Sequence, residues 1–458
     1  MIEALSSFVR NRRVVLVGGP LVGATALVKR LRALGAERVL VIASGVGTGD
    51  QPDATDADWV VVEHSAADIV AGIRAEEAML RQPPTEVLDA LARFDAGRDA
   101  LVILQDVASV SRIADRPLLG ARPPEWVALE DKTVVDALWD DWGVARVPSQ
   151  VVPVDAGRLG DAADALDVGM GTAWAGDARD GFHGGAVFLR WVRTEADRAE
   201  AVAFFSAHCD RVRVMPFLEG VPCSIHGVVF PDGVAVLRPV EMVCLRPAGQ
   251  PRILYGGCST FWDPPAEDRE QMREVARVAG RGLAEQVGYR GGFTVDGVLS
   301  AEGFRPTELN TRMGGGVGTM ARGLPDIPFH LLQLALVTGR PAGIAAAAFE
   351  SMVVAAADAT RAGGVWSVTP ASPPAGDTVE RDLVLGEHSA RLAEGGEPSN
   401  AQIVFGPGVA GGFVRVTFDP ARTPVGPSVG PRAVAALALA DALFGTGFGP
   451  LEPSRPVR

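Results

Sequence analysis

The stretch Gly291 to Gly316, GGFTVDGVLSAEGFRPTELNTRMGGG, concentrates residues of this chain that can do chemistry. Phe293 to Leu299 alternates with β-branched residues, Ala301-Glu302-Gly303 supplies a turn, and Phe304 to Leu309 returns, which predicts a β-hairpin. Side chains two apart on a strand share a face, so Glu308, Asn310 and Arg312 point one way. Asp296 on the outgoing strand joins them if the turn sets that register. Two carboxylates, an amide oxygen and a guanidinium on one face are costly unless something bound there offsets their desolvation. Hard oxygen donors in that number suit Mg²⁺, which keeps waters and takes its remaining ligands from phosphates. The alternative is a solvated hairpin face with ordinary salt bridges.

Such a hairpin needs a larger body to hold it. A chain of 458 residues exceeds one core and implies two or three domains. With 47% hydrophobic and 22% charged residues the composition is that of an ordinary globular protein. A net charge of −13 argues against nucleic acid or an anionic membrane as partner. The positive charge is almost all arginine, with Lys29 and Lys132 the only lysines. Cys209, Cys223, Cys244 and Cys258 show neither CxxC pairing nor zinc spacing and read as thiols in a reducing compartment. A leader with a cleavage site and a long apolar run are both missing, so the expected location is cytoplasmic.

The chain opens with a strand at Arg13 to Val17, a helix from Leu21 to Leu34 that stops at Gly35, and strands near Arg38 to Ile42, Trp59 to Val62 and Ala100 to Leu104. This alternation predicts a parallel sheet with helices on its faces. Gly18 to Gly23 has Walker A spacing, but Ala24 stands where the phosphate lysine belongs. Pro20 likewise spoils a G-x-G-x-x-G reading, which leaves a tight strand-to-helix turn as the better account. A helix is expected over Lys132 to Trp142. Gly169 to Val192 should be two strands around a glycine loop, in which Gly181, Gly184 and Gly185 let backbone N–H groups converge on a phosphate. His183 in that loop either touches a phosphate or is a satisfied loop histidine. Val234 to Val243, carrying Arg238, reads as one strand, Tyr255 to Trp262 as a loop, and Glu267 to Val287 as a long amphipathic helix. Pro328 to Val337 and Pro431 to Phe444 are further helices and Phe413 to Phe418 a strand in a Pro/Gly-rich tail.

Asp296, then a turn, then Glu308-x-Asn310-x-Arg312 and glycines, resembles the metal-binding end of the ATP-grasp carboxylate–amine ligases. The phrases DARDGFHGG, MPFLEGVPCSIHG and VDGV…GFRPTELNTR are similar to those of actinobacterial peptide ligases related to pheganomycin ligase. The resemblance implies an α/β and α+β multidomain fold. Its parts are a Rossmann-like pre-ATP-grasp domain over 1–128, a lid over 129–215, a base with the metal hairpin over 216–345, and an accessory domain over 346–458. It further implies ATP, and Mg²⁺ (two ions, with Mn²⁺ as a substitute) held by Asp296, Glu308 and Asn310. Lys132 would reach a phosphate, and the 181–185 loop would close over the phosphates. The hinge residues Met215, Phe217 and Leu218 would wall the adenine, with Glu219 on the ribose. The strand before the glycine loop lacks the family's second lysine, for which Arg179, Arg190 and Arg246 are candidates. Arg312 or Arg238 would stabilise an acyl phosphate or orient the carboxylate.

The implied reaction phosphorylates a carboxylate and lets an amine displace the phosphate, with the lid excluding water. The expected partners are a small carboxylate and an amine, either an amino acid or a peptide, in specialised metabolism; a homodimer stays open. Two other classes compete: a non-catalytic nucleotide-binding homologue, which would explain the missing lysine, and a dinucleotide-dependent oxidoreductase, which leaves the Asp296–Arg312 cluster unexplained.

Overall fold

The computed structural model describes residues 1–105, 109–182 and 184–457. Near the N-terminus, the continuous apolar runs of Arg13–Val17, Arg38–Ala43 and Leu101–Leu104 are buried, as strands covered on both faces must be. With Asp58–Val61 they form a four-stranded parallel sheet, in the order Asp58–Val61, Arg38–Ala43, Arg13–Val17, Leu101–Leu104. The first strand enters helix Leu21–Ala33 through Gly18 and Gly19, at φ 102° and 69°. Gly19 N–H donates to Glu76 Oε2 at 2.7 Å. A carboxylate thus sits where a dinucleotide phosphate would bind, and the turn is a structural one.

A second, antiparallel sheet orders Gln150–Pro153, Arg211–Pro216, Thr172–Gly176 and Leu189–Val192. The third is the seven-stranded platform of the molecule. Its main path runs Leu254–Ser259, Val240–Pro247, Val221–Phe230, Gly291–Ser300, Gly303–Asn310, with Gly233–Val236 and Leu451–Pro453 attached at its sides. Helix Ala266–Val287 packs Met272, Ala276, Ala279 and Leu283 into the core beneath it. Small residues permit the close approach, since a Cβ at Gly280 would lie 3.0 Å from the Phe293 ring. A fourth, five-stranded antiparallel sheet holds Gly364–Thr369, Gly411–Phe418, Ala401–Gly408, Val379–Leu385 and Ala390–Leu392, backed by helix Gly430–Phe444. Among the described residues no helix is long and apolar enough to cross a membrane.

Three local expectations are corrected. The helix after Lys132 spans only Val135–Asp141, because Asp131 accepts from the Thr133 N–H and hydroxyl and makes residues 131–133 a side-chain-closed turn. The single strand at Val234 to Val243 is two, broken at Leu237-Arg238-Pro239, where proline removes a ladder donor and Arg238 turns into the interior. Tyr255 lies on the edge strand Leu254–Ser259 and not in a loop.

Candidate active site

The hairpin strands Gly291–Ser300 and Gly303–Asn310 pair with Asp296 opposite Glu308 and Thr294 opposite Asn310. A bulge beside Asp296 absorbs one residue and keeps Glu308 and Asn310 on the Asp296 face. Strand Val221–Phe230 adds Ser224 opposite Asp296. Ser224 Oγ donates to Asp296 Oδ1, and Asn310 Nδ2 donates to Asp296 Oδ2 at 2.9 Å. Burial, then the Glu308 charge across the strand pair, push Asp296 up to about 7. Lys132 Nζ lies 3.0 Å from Glu308 Oε1.

Asn310 is 3% exposed, and its Oδ1 has no partner. Buried acceptors are rarely left so. An orphaned amide oxygen beside two carboxylates on one face fits a hard divalent cation, the donor set that Mg²⁺ takes. Among the described residues no three His, Cys, Asp or Glu side chains cluster in this way, so the set is two carboxylates and an amide.

Arg312 follows on the same strand end. Its Nε is 3.8 Å from Glu130 Oε1, and its guanidinium lies 5.5 Å from the Phe182 ring centre. Burial works against the Glu130 charge, yet Arg312 and Arg122 hold its carboxyl below the usual range. Arg122 Nη1 bonds Glu130 at 2.5 Å, and Glu130 also accepts the Thr311 N–H at 2.9 Å, so the arginine stands on a braced carboxylate.

The glycine loop reaches this cluster. Phe182 covers Arg312, and Asp131 Oδ2, next to Lys132, accepts the Ala178 N–H at 3.1 Å. Gly181 and Gly185 are left-handed at φ 91° and 56°. Gly184 is not, and its lack of a Cβ serves the ring of Phe182, which one would meet at 3.0 Å. His183 lies outside the described residues. At the hinge, Met215 is buried with Val147 and Ala173, and Phe217 and Leu218 pack against them. Trp191 stacks on Phe217 at 4.2 Å.

Several arginine assignments do not survive the geometry. Arg238 is fully buried and commits its guanidinium to Asp263, Asp358 and the carbonyls of Pro239, Ala357 and Trp262; it braces the platform and has no donor for a substrate. Arg246 donates twice to Glu219, at 3.2 and 2.9 Å, and once to the Pro453 carbonyl. It is tied to the linker at 216–220 and not to the glycine loop. Glu219 also accepts the Arg455 N–H at 2.9 Å, so both residues tie the tail to the hinge. Arg190 lies over Phe204 and bonds the Val187 and Leu189 carbonyls, with burial lowering it to about 10. Arg179 pairs with Asp180 and Asp210. Sequence reasoning passed over Ser224, Glu130 and Arg122. Strand parity puts Ser224 on a face, but only the register puts that face beside Asp296.

No protein-family model matches the chain, and no curated protein matches it in sequence. Solved structures do. Phosphoribosylamine–glycine ligase from Thermotoga maritima aligns over 94% of this chain and 96% of its own at 15% identity, with a TM-score of 0.52. The biotin carboxylase domain of Hydrogenobacter thermophilus 2-oxoglutarate carboxylase, solved with MgADP and bicarbonate, covers 97% of this chain and 91% of its own at 12% identity and 0.55. N5-carboxyaminoimidazole synthase from Aspergillus clavatus, with ADP and 5-aminoimidazole ribonucleotide, covers 96% and 99% at 13% and 0.50. Identities this low speak for the fold alone, and they place this multidomain chain, end to end, in the ATP-grasp fold.

Proposed function

We propose that the chain is an ATP-dependent ligase that joins a carboxylate to an amine and releases ADP and phosphate. The observation that carries this reading is the orphaned Asn310 Oδ1 on the face shared by Asp296 and Glu308. Those three residues would hold Mg²⁺, with Mn²⁺ as a substitute, and the ions supply positive charge against the ATP phosphate oxygens. Lys132, released from Glu308, binds a phosphate, and the loop around Gly181 and Gly185 offers backbone amides to the others. Met215, Phe217 and Leu218 form the apolar wall for adenine. Arg312, held by Glu130, orients the carboxylate or the acyl phosphate derived from it. The loop, resting on Arg312 through Phe182, keeps water from that intermediate.

On this reading 1–128 is the pre-ATP-grasp unit, 129–215 the lid, 216–345 the base and 346–458 an accessory unit. Amino-acid or peptide substrates and a role in specialised metabolism, as in the peptide ligases related to pheganomycin ligase, are the finer form of the proposal. Two observations favour a second reading, a nucleotide-binding homologue without catalysis: Thr172–Gly176 carries no lysine, and Arg246 is committed to Glu219.

An ADP-release screen across amino acids and short peptides, with mass spectrometry of the product, separates the two. The ligase sustains ADP release only when a carboxylate and an amine are both present, since the amine clears the acyl phosphate; a binding protein releases none. Glu308→Gln is expected to fold, to lose activity by at least about 100-fold, and to lose stabilisation by Mg²⁺ and ATP, because a ligating carboxylate is gone. Retention of most activity in that variant overturns the metal assignment.

A further inference from the structure

The face that carries the two acids continues across the platform away from the hairpin. Ser224 stands opposite Asp296 on one side and Val240 on the other. Two residues on, Met242 shares that face, opposite Cys258, and past a bulge Cys244 stands opposite Tyr255. The reverse face of these strands is closed, since Val243 and Leu245 are buried in the core of the C-terminal sheet. Met242, Cys244, Cys258 and Tyr255 are only half-buried. The strip they form therefore opens onto the same side as Asp296 and Glu308.

The C-terminal sheet closes its far end. Trp366, on strand Gly364–Thr369, meets the Tyr255 ring edge-on, with centres 5.7 Å apart and planes at 87°. Gly257 makes room for it, because a Cβ there would lie 2.6 Å from Trp366 Nε1. Tyr255 Oη bonds Cys258 Sγ at 3.3 Å, and a Cβ at Gly315, just past Arg312, would sit 3.2 Å from that hydroxyl. Tyr255 thus spans the distance between the turn that follows Arg312 and the wall supplied by Trp366. The strip is built of a thioether, two thiols and two aromatic rings, and its low-polarity setting pushes both thiols up, away from the thiolate form.

We propose that this strip is the side-chain subsite of the ligated carboxylate or amine, and that it takes an aromatic or large aliphatic group borne next to the reacting end. The inference rests on the ligase reading above. A carboxylate end is met at Arg312, beside the acids, and an apolar body continues over Met242 and Cys244 to Tyr255 and Trp366. Perpendicular aromatic rings at the end of an uncharged, half-open strip favour a further ring, which adds edge-to-face contact to its burial. The accessory sheet, by supplying Trp366, would set what the enzyme accepts.

The test is calorimetric titration of phenylalanine and of glycine into the full chain loaded with Mg²⁺ and a non-hydrolysable ATP analogue. Phenylalanine is expected to bind at least about tenfold more tightly than glycine, the scale on which an apolar pocket discriminates. Trp366→Leu and Tyr255→Leu are each expected to cut that preference to about threefold or less while leaving analogue affinity unchanged. Equal binding of the two amino acids by the unsubstituted chain overturns the inference, as does a preference that survives both substitutions. Should Trp366→Leu fail to fold, Tyr255→Leu and the unsubstituted chain decide alone. Loss of Mg²⁺-dependent analogue binding in the unsubstituted chain would instead overturn the ligase reading, a result visible before any amino acid is added.

Discussion

On the ligase reading, two cations compete for the Glu308 carboxylate. Lys132 Nζ, 3.0 Å from Oε1, neutralises part of the charge that Asp296 and Glu308 set face to face. A divalent ion drawn to the same oxygen would displace it, and on that reading the ammonium would turn to a nucleotide phosphate. Removing Lys132 should therefore act in opposite directions on the two ligands. In Lys132→Met, Mg²⁺ alone is expected to raise the melting temperature more than in the unsubstituted chain, because the acids have lost their internal counterion. ATP is expected to bind more weakly by about 1–2 kcal/mol, one charge-assisted phosphate contact. Thermal shift with Mg²⁺ alone and a nucleotide titration read the two effects. Changes of the same sign in both would mean that Lys132 only props the hairpin.

At the scale of elements, the proposed lid is the loop between Thr172–Gly176 and Leu189–Val192. Its entry is pinned, since Asp177 accepts the N–H groups of Asp210 and Arg211 at 3.1 and 2.6 Å and Asp131 takes that of Ala178. Its middle rests on Arg312 through Phe182, and Arg74 Nε donates to the Phe182 carbonyl at 3.0 Å from the N-terminal unit. Past these supports the backbone turns left-handed at Gly185, with φ 56°. A β-branched residue there costs roughly 1–2 kcal/mol in that conformation, so the loop would settle into another path. Gly185→Val should raise the KM for ATP about 5–30-fold, the same energy expressed as a ratio, with little change in melting temperature. Unchanged ATP kinetics in a well-folded variant would remove this loop from the phosphate site.

Across the whole molecule, acids and arginines fasten the C-terminal part of the chain to the platform. Arg246 and Glu219 hold the final strand Leu451–Pro453 at the hinge, and Arg238 gathers Asp263 and Asp358. Glu241, fully buried on the platform, accepts from Ser428 Oγ at 2.6 Å and from Val429 N–H at 2.9 Å at the start of helix Gly430–Phe444. Burial pushes its carboxyl up to about 7, against those hydrogen bonds. The folded state thus holds this proton more tightly than the unfolded chain, whose carboxyl titrates near the ordinary value of about 4.3. The group's contribution is most favourable below that value, declines as pH rises through the interval, and levels off above about 7. Glu241→Gln does not titrate. Its stability relative to the unsubstituted chain should improve from pH 5 to pH 8, by an amount on the order of 1–3 kcal/mol. Denaturant unfolding at the two pH values measures this, and a difference that stays flat or reverses would place the proton elsewhere.

Local pattern sufficed for much of the architecture. The strands at Arg13–Val17 and Leu101–Leu104, the helix Ala266–Val287 and both arms of the hairpin were legible because hydrophobic periodicity and turn residues act over a few positions. The same parity made Glu308 and Asn310 neighbours on a face. What only the folded chain decided was which polar groups are already taken. Arg238, Arg246 and Arg312 are alike in sequence, yet the first is sealed among carboxylates and carbonyls and the second is locked to Glu219. The third stands on Glu130 beside the acids. Each of those partners comes from a distant part of the chain. The register that sets Ser224 beside Asp296, the Lys132 contact with Glu308 and the approach of Trp366 to Tyr255 have the same origin: strand pairing and sheet packing bring together residues dozens to more than a hundred positions apart, and no local pattern encodes that distance.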